Sequence, residues 1–399
     1  MNILFVLDNF PPDLGAASFR FESIVKSLAD RGNNITILAS LPNRISDVDI
    51  NLDEFKYQNV KVIRVKNKKM GNNIFSRAMT YFLFFLSSMV TGIKLGQNCQ
   101  IIIASTPQLF VGFSGAIIST FSRKKFILDI RDLWPDIVLD MGVMKKYNPI
   151  YLGLKFIEYL MYKKADFIVY NSPGFKLYLE SKYDNEKIKL ITNGIDDYIL
   201  EYFEDKKFKV QAKEKYKLMY AGNLGIAQDI KILVEFSKNY RDKVEILLIG
   251  KGSQEDLIRK QIQREKIKNI TLESSVPRKE LLERYMEADI LFLQLKDIKM
   301  FEKTIPSKIF EYLATKKPII YGLEGIGKNI LQNEFKRKYY FRANDLENLS
   351  EIFESLVQDI ENNKFQEPDI EKLRKNYSRK VLSEKYINLI NKISEQIKN

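Results

Sequence analysis

Two kinds of apolar pattern alternate along this chain. Short continuous runs rich in Ile, Val and Leu are separated by longer segments whose apolar residues recur every three or four positions. The short runs are typical of strands buried on both faces of a parallel sheet, and the longer segments are typical of amphipathic helices. In the first half, a helix is predicted over 19–31, closed by Gly32, and strands are predicted over 3–7, 35–39, 60–65, 101–105, 126–130, 167–170 and 188–191.

The pattern stops near residue 195 and restarts after a charged stretch, 201–217, that has the composition of a linker. The second series of predicted strands is 218–221, 244–249, 270–272, 290–294, 319–321 and 339–341. Strands and helices alternating in two series predict an α/β protein with two Rossmann-like, doubly wound parallel-sheet domains, over 1–195 and 196–375. Because such sheets bind ligands beyond the carboxyl ends of their strands, we expect the site in a cleft between them.

The segment 376–399 contains an amphipathic helix, 379–398, which we expect to pack back on the first domain. A length of 399 residues with 45% hydrophobic content is sufficient for two cores. There is no histidine, which excludes histidine-dependent acid–base and metal chemistry. The single cysteine, Cys99, cannot form an intramolecular disulfide, and the chain enters a strand at Ile3, so we expect a cytoplasmic location.

A formal net charge of +13 indicates that polyanions attract the protein. Residues 78–93 carry no charge, and seven basic residues precede them: Lys56, Lys61, Arg64, Lys66, Lys68, Lys69 and Arg77. This uncharged run is shorter than the ~20 residues that span a bilayer. Two interpretations stay open, namely an interfacial helix on an anionic membrane surface and an apolar helix that covers the sheet.

The most informative chemical signal is a loop followed by a short helix and a strand, near residues 304–320. Lys308 and Glu311 are three residues apart, so they share a helix face. A cation beside free helix N–H groups suits a diphosphate, and a carboxylate one turn later suits two ribose hydroxyls. The alternative is an ordinary solvated ion pair. The loop that opens this helix consists of Thr304, Ile305, Pro306 and Ser307.

Three further turns follow predicted strands of the second half. Gly222 and Gly250 permit close backbone approach, and Asn223 offers both a donor and an acceptor. Lys251 and Arg278 bring positive charge to the same strand ends. Their shared position predicts an anion-binding site, although each turn alone is weak support.

Two loops of the first half carry candidate chemistry. In the first, Gly15 and Ala16 let backbone N–H groups approach an anion at a helix start, and Arg20 is placed to meet a second phosphate. The alternative is a tight turn that needs small residues for packing. The loop does not match the GxGxxG fingerprint, which removes the main support for hydride chemistry.

The second loop, 129–136, places charged residues directly after a strand. Asp132 is our candidate for contact with reacting hydroxyls, and Trp134 offers an apolar face to a sugar ring. Arg131 directly precedes Asp132 in this polar loop. The alternative is that Asp129 and Arg131 pair with each other while Asp132 caps a turn.

In their order, these motifs resemble those of glycosyltransferase family 4 enzymes of the GT-B fold. The segments that carry the resemblance over nearly the whole chain are Pro11-Pro12-x-x-Gly15-Ala16-Ala17, Arg131-Asp132-Leu133-Trp134-Pro135, Tyr220-Ala221-Gly222-Asn223-Leu224-Gly225, Leu248 to Gly252, Val276-Pro277-Arg278 and Ile305-Pro306-Ser307-Lys308-x-x-Glu311-Tyr312. The first two are similar to those of the WbuB-type transferases of bacterial surface polysaccharides (capsule and O-antigen), which act with N-acetylfucosamine or related sugars.

The resemblance implies a retaining, metal-independent transfer of an N-acetylated hexose from a UDP-sugar to a polyprenyl-diphosphate-linked sugar. Glu311 would hold the donor ribose, and Lys308 with Arg278 would meet the diphosphate or base region, near Gly250 and Lys251. Arg20, Arg131 and Trp134 are predicted to bind the acceptor, and Asp132 and Lys308 to act in catalysis. No cofactor is expected, and the predicted location is the inner face of the plasma membrane.

Two departures from the family pattern bear on this expectation. Lys303 occupies the position where many members carry a glutamate, and Glu302 is one residue away, about 100° around a helix. Asn223 and Gln228 stand where many members have an arginine and a lysine. The WbuB-type subgroup shows similar replacements at these two positions.

Three alternative functions remain open, namely a nucleotide-sugar epimerase, a non-catalytic binder of nucleotide sugars and a nucleic-acid-binding protein. The last lacks a recognised module or interleaved aromatic and basic residues, so no nucleic-acid partner is predicted. Asp47-Val48-Asp49 resembles a metal-binding DxD, but it lies in a polar loop, and no metal site is predicted.

Overall fold

The computed structural model describes residues 1–13, 15–42, 55–65, 74–206 and 211–398. The chain forms two compact units. Unit 1 comprises Met1–Asp196 and Tyr377–Asn399, and unit 2 comprises Asp197–Asn376. The predicted DxD motif at 47–49 lies outside the described residues.

In the described residues of unit 1, seven parallel strands form one sheet in the order β3-β2-β1-β4-β5-β6-β7. The elements are β1 (Asn2–Leu7), α1 (Ala16–Ala29), β2 (Asn34–Ser40), β3 (Val60–Val65), α2 (Ile74–Gly96), β4 (Ile101–Ser105), α3 (Leu109–Ser122), β5 (Lys125–Ile130), α4 (Asp136–Asp140), α5 (Pro149–Lys164), β6 (Phe167–Tyr170), a 3-10 turn (Pro173–Phe175), α6 (Lys176–Glu180) and β7 (Ile188–Leu190).

In the described part of unit 2, five parallel strands form a second sheet in the order β10-β9-β8-β11-β12. The elements are α7 (Asp197–Glu204), β8 (Tyr216–Ala221), α8 (Lys231–Asn239), β9 (Val244–Ile249), α9 (Glu255–Arg264), β10 (Ile270–Glu273), α10 (Arg278–Glu287), β11 (Ile290–Gln294), α11 (Lys299–Glu302), α12 (Lys308–Ala314), β12 (Ile319–Gly322), α13 (Gly325–Asn329), a π-helical turn (Ile330–Glu334), α14 (Leu346–Glu361) and α15 (Ile370–Tyr377); α16 (Arg379–Lys398) then returns to unit 1.

Both faces of the unit 1 sheet are covered, because alternate side chains of a strand point to opposite faces. Ile3 and Phe5 of β1 belong to the core that includes α1 and α16. Ala104 and Phe126 point to the other face, where they contact Gly115 of α3: a Cβ at this glycine would lie 2.4 Å from the Cβ of Ala104. The sequence-based prediction of two doubly wound parallel-sheet α/β units is confirmed.

The last helix, α16, is part of unit 1. Leu382, Tyr386, Ile390 and Ile393 are buried in the same core as β1 and α1. Just before the helix, the backbone of Ile195 donates to the carbonyl oxygen of Tyr377 over 2.8 Å. The chain therefore leaves unit 1 after Asp196, completes unit 2 and returns at Tyr377.

Two local predictions are wrong. Residues 339–341 do not form a strand: Tyr340 makes only an isolated bridge to Tyr321, while its neighbours Tyr339 and Phe341 are buried in the core of unit 2. The predicted linker, 201–217, is partly regular structure: residues 201–204 end α7, where Phe203 is buried, and Tyr216 begins β8. The structure does not describe 207–210.

The apolar run at 78–93 lies within α2. Among the described helices, the stretch Met79–Gly96 is the one long and apolar enough to cross a membrane by length and composition, and 33% of it is buried in the fold. Phe84 is 1% exposed, whereas Phe82 is 45% exposed. The helix thus covers the sheet with one side and exposes apolar side chains on the other. Contact of this helix with a membrane stays a prediction.

Candidate functional site

The turns after β8 and β9 are packed against each other at the carboxyl edge of the unit 2 sheet. The N–H of Gly222 donates to the carbonyl oxygen of Ile249 over 2.9 Å, and Leu224 donates to Lys251 over 2.9 Å. Gly250 has φ = 155°, and a Cβ there would lie 1.8 Å from the carbonyl oxygen of Gly222. Glycine at 250 is therefore what permits the two predicted loops to meet.

The polar side chains of these turns lie near the surface. The amide of Asn223 donates to Gln228 over 3.1 Å, which joins two residues where an arginine and a lysine stand in the resembling family. Lys251 is exposed beside them. This edge therefore presents neutral amides and one lysine at the sequence-predicted nucleotide loops.

The centre of the candidate site is the first turn of α12. The Lys308 ammonium lies 2.8 Å from Glu311 Oε2, as expected for side chains three residues apart on one helix face. Both side chains are mostly buried, with 22% and 13% exposure. The alternative of an ordinary solvated pair therefore does not describe this contact.

Two residues of α10 complete the surroundings of Glu311. The hydroxyl of Tyr285 donates to Glu311 Oε2 over 3.0 Å, and Lys308 donates to the same hydroxyl over 2.9 Å. The guanidinium of Arg278 lies 3.8 Å from Glu311 Oε1 and 5.2 Å above the ring of Tyr198. The predicted residues Arg278, Lys308 and Glu311 are thus brought together.

The electrostatic setting keeps Glu311 ionised. Burial raises the pKa of this carboxyl group, but the charges of Lys308 and Arg278, with hydrogen bonds from Lys308 and Tyr285, lower it to about 2. Because this value lies below that of an unfolded glutamate, the stabilisation is complete above about pH 4.3 and is lost as the pH falls towards 2. Glu311 is consequently a hydrogen-bond acceptor throughout the neutral range.

Tyr285 is the residue that sequence reasoning missed. Its ring is fully buried and packs edge-on against Tyr312, with centroids 5.6 Å apart. Burial, and then the neighbouring Glu311, raise the pKa of its phenol well above the usual value, so the hydroxyl stays protonated. The available signal was its spacing of seven residues from Arg278, which places both on one face of a helix.

The loop before α12 borders a small surface pocket. Thr304 and Pro306 line it, as do Lys296, Glu302 and Glu324. Glu302 therefore reaches this pocket, although its position in the sequence differs by one from the usual glutamate. Ile305 is buried, and Ser307 occupies the N-cap position without a side-chain capping bond.

In unit 1, the predicted anion loop leads into α1. Gly15 is the N-cap residue, and Ala16 is the first helical residue, three positions earlier than predicted. Arg20 is 2% exposed, its guanidinium lies 3.0 Å from Asp129, and it also donates to the carbonyl oxygen of Thr192. These contacts tie α1 to β5 inside the core, and a role of Arg20 in acceptor binding stays a prediction.

The loop after β5 carries the other predicted residues of unit 1. Asp129 pairs with Arg20, so the predicted alternative in which it pairs with Arg131 is wrong. Burial raises the pKa of Asp132 to about 6, an effect that the nearby charge of Arg131 only partly opposes. A carboxyl group that titrates near neutral pH has a property common among acid–base groups. Trp134 is partly exposed and donates through its backbone to Asp132.

The described ranges of the chain contain no cluster of three or more His, Cys, Asp or Glu residues placed to hold a metal ion.

Two family models match parts of the chain. Residues 202–376 match the family "Glycosyl transferases group 1", and residues 12–196 match a domain of unknown function, DUF1972. An uncharacterized glycosyltransferase, MJ1069 of Methanocaldococcus jannaschii, is 32% identical over 112 residues, or 27% of this chain and 29% of the relative. The probable glycosyltransferase WbjE of Pseudomonas aeruginosa is 25% identical over 210 residues, or 50% of this chain and 51% of the relative. The alignments thus span 29% and 51% of the length of these relatives.

Among solved structures, Anabaena HepE in complex with UDP and glucose superposes with a TM-score of 0.72 at 14% identity, covering 98% of this chain and 100% of HepE. The fold is GT-B, the architecture of many glycosyltransferases. The match to the group 1 family covers residues 202–376, which make up nearly all of unit 2.

Proposed function

We propose that the protein is a glycosyltransferase that uses a UDP-sugar donor bound by unit 2. The observation that carries this proposal is the cluster of Lys308, Glu311, Arg278 and Tyr285 beside the carboxyl edge of the sheet. The match to group 1 glycosyltransferases and the similarity to a UDP-bound structure support it.

The contacts suggest how each group would meet the donor. Glu311, ionised and acceptor-only, would accept hydrogen bonds from the two ribose hydroxyls. Lys308 would exchange part of its contact with Glu311 for the diphosphate, and Arg278 would add a second positive charge. The backbone at Gly222 and Gly250 would lie close to the nucleotide because neither position carries a Cβ.

The reaction we infer is a retaining transfer. The bond between the anomeric carbon and the diphosphate oxygen breaks, and its electron pair stays on the leaving phosphate. The acceptor hydroxyl oxygen bonds to the same face of that carbon, and its proton passes to the leaving phosphate oxygen. Lys308 and Arg278 stabilise the developing negative charge, so the step as inferred requires neither a metal nor a cofactor. Asp132 stays our candidate for contact with the acceptor hydroxyl.

We further infer that the protein is a WbuB-type transferase that moves an N-acetylated hexose, such as N-acetylfucosamine, to a polyprenyl-diphosphate-linked sugar of a bacterial surface polysaccharide. The loops that contain Gly15, Ala16, Arg131 and Trp134 support this subgroup by their sequence resemblance. Such an acceptor would keep the enzyme at the cytoplasmic face of a membrane.

Purified protein incubated with a panel of UDP-sugars, with and without a lipid-linked acceptor, tests the proposal. We expect calorimetry to detect UDP binding and chromatography to detect UDP release that depends on the acceptor. Conversion of the sugar without an acceptor would instead identify an epimerase, and binding without turnover would identify a non-catalytic binder. If no UDP compound binds, the proposal is wrong.

Replacing Tyr285 by phenylalanine tests whether this residue positions Glu311. The change keeps the buried ring but removes one hydrogen bond to a carboxylate, worth about 1.5 kcal/mol, so we expect UDP affinity to fall about tenfold. KM for the donor should rise more than kcat falls. Tyr339→Phe is the matched control, because its hydroxyl contacts Asp359 over 3.1 Å elsewhere in unit 2. Equal affinities in both variants and the wild type would contradict a positioning role.

A further inference from the structure

Helices α2, α3 and α5 form one layer on the sheet face opposite α1 and α16. The centre of this layer is α3, which packs against both neighbours. A Cβ at Gly92 of α2 would lie 2.3 Å from the side chain of Ile118 in α3, and one at Gly112 of α3 would lie 2.3 Å from Met161 in α5. We call these three helices the α2–α3–α5 layer.

The outward side of this layer is apolar. On α2 the exposed residues follow helical spacing, and on α5 all but Ile150 lie opposite the buried Tyr151 and Met161. On α3, Phe121 is 67% exposed. The remaining exposed apolar side chains are Met79, Phe82, Leu86 and Val90 on α2, and Ile150, Leu152, Phe156, Tyr159 and Leu160 on α5. Apolar residues spread over three adjacent helices mark an interaction surface rather than isolated exposed side chains.

The charged residues of the α2–α3–α5 layer are almost all basic. Its sequences contain a single acidic residue, Glu158, which is 3% exposed and forms an ion pair with Lys155. Lys94 and Lys163 are exposed on α2 and α5. Lys163 lies 5.7 Å from the ring of Tyr159, which places a cation directly beside the apolar stripe.

More positive charge borders the layer on the described loop that precedes α5. Lys145 and Lys146 are exposed there, together with Val143 and Tyr147. Aromatic and aliphatic side chains flanked by lysines are typical of surfaces that lie in the headgroup region of anionic bilayers.

We propose that the α2–α3–α5 layer docks on an anionic lipid surface, with the apolar side chains of α2 and α5 entering the boundary between headgroups and acyl chains. A second copy of this chain is a poorer occupant, because a two-fold contact would place basic residues against basic residues. The inference rests on the proposed function in one respect, since a lipid-linked acceptor gives the enzyme a reason to be at a membrane. It extends the predicted contact beyond α2 to α3 and α5.

Co-sedimentation with vesicles tests this surface. We expect the full chain to bind vesicles of equal parts phosphatidylglycerol and phosphatidylcholine more tightly than vesicles of phosphatidylcholine alone. The double variant Phe82→Ser, Phe156→Ser should lose about tenfold or more in binding, since each lost aromatic side chain removes apolar burial. Lys163→Gln with Lys164→Gln should weaken binding to the anionic vesicles only.

Matched controls are available on α9 of unit 2. Leu257 is 50% exposed and Lys260 is also exposed, so Leu257→Ser and Lys260→Gln make the same kinds of change elsewhere. Both should bind vesicles as the wild type does. Because the substituted phenylalanines are exposed, melting temperatures should stay close to the wild-type value, which separates lost docking from lost folding.

Three results would overturn the inference: no binding of wild-type protein to anionic vesicles, equal losses in the α9 controls, or a dimer in sedimentation that the double variant abolishes while vesicle binding is absent. Calorimetry with UDP on the same proteins keeps the two proposals apart. Unchanged UDP binding without vesicle binding would refute only the docking surface, and vesicle binding without UDP binding would refute only the proposed donor site.

Discussion

Replacing Lys308 by alanine is expected to lower kcat/KM for transfer by about a hundredfold to a thousandfold, the range seen when a preorganised electrostatic contact is removed. The ammonium lies 2.8 Å from Glu311 on a turn where a diphosphate would sit. Its loss would leave the departing phosphate with less positive charge. Glu311 would keep Arg278 at 3.8 Å and the hydroxyl of Tyr285, so the carboxylate would still have partners.

Initial rates at several donor concentrations, together with calorimetry using UDP, measure this effect. Lys299→Ala removes one positive charge from an exposed position on α11 and is the matched control, with wild-type rates expected. Lys308→Arg keeps the charge but changes its geometry, so it should recover part of the activity. Wild-type kcat/KM in Lys308→Ala would show that this lysine does not act on the donor.

Replacing Arg20 by methionine is expected to reduce the free energy of unfolding by about 3–5 kcal/mol, the cost of leaving one partner of a buried ion pair uncompensated. Asp129 is fully buried, and Arg20 is its ion-pair partner at 3.0 Å. The same change would remove the link from α1 to the carbonyl oxygen of Thr192. Urea unfolding measures the loss.

Lys26→Met is the control, because Lys26 forms an exposed ion pair with Glu22 four residues away, for which about 0.3–0.5 kcal/mol is expected. Adding Asp129→Asn to Arg20→Met should restore part of the lost stability by removing the unpaired charge. A stable Arg20→Met protein with weakened acceptor binding would contradict this structural role and favour the predicted contact with the acceptor.

Local sequence pattern predicted most of the strands. The apolar runs at 60–65, 101–105, 167–170, 244–249 and 290–294 are strands with those bounds. The apolar pattern was misleading at Tyr339 and Phe341. Their side chains are buried in the core of unit 2, but their backbone does not form a strand. It also missed α7, a helix of only eight residues that ends within the charged stretch interpreted as a linker.

The same distinction applies to the candidate site. The contact between Lys308 and Glu311 follows from helical spacing, which the sequence displays directly. Tyr285 reaches Glu311 across 26 residues, and Arg20 reaches Asp129 across 109, so both contacts depend on how separate elements pack. The sequence shows Arg20 and Asp129 but not that they form a buried pair, because the two residues lie on separate elements, α1 and β5. A role of Arg20 in acceptor binding stays a prediction.

The chain crosses from unit 1 to unit 2 and back again, and this constrains the order in which the two units can fold during synthesis on the ribosome. Unit 2 is one uninterrupted stretch, Asp197–Asn376, so all of it can emerge and fold in sequence. The core of unit 1 cannot be completed before unit 2 is translated, because Leu382, Tyr386 and Ile393 of that core follow unit 2 in the chain. Until then the nascent amino-terminal half exposes the apolar side of α1. We therefore expect this half to depend on chaperones while unit 2 is being synthesised.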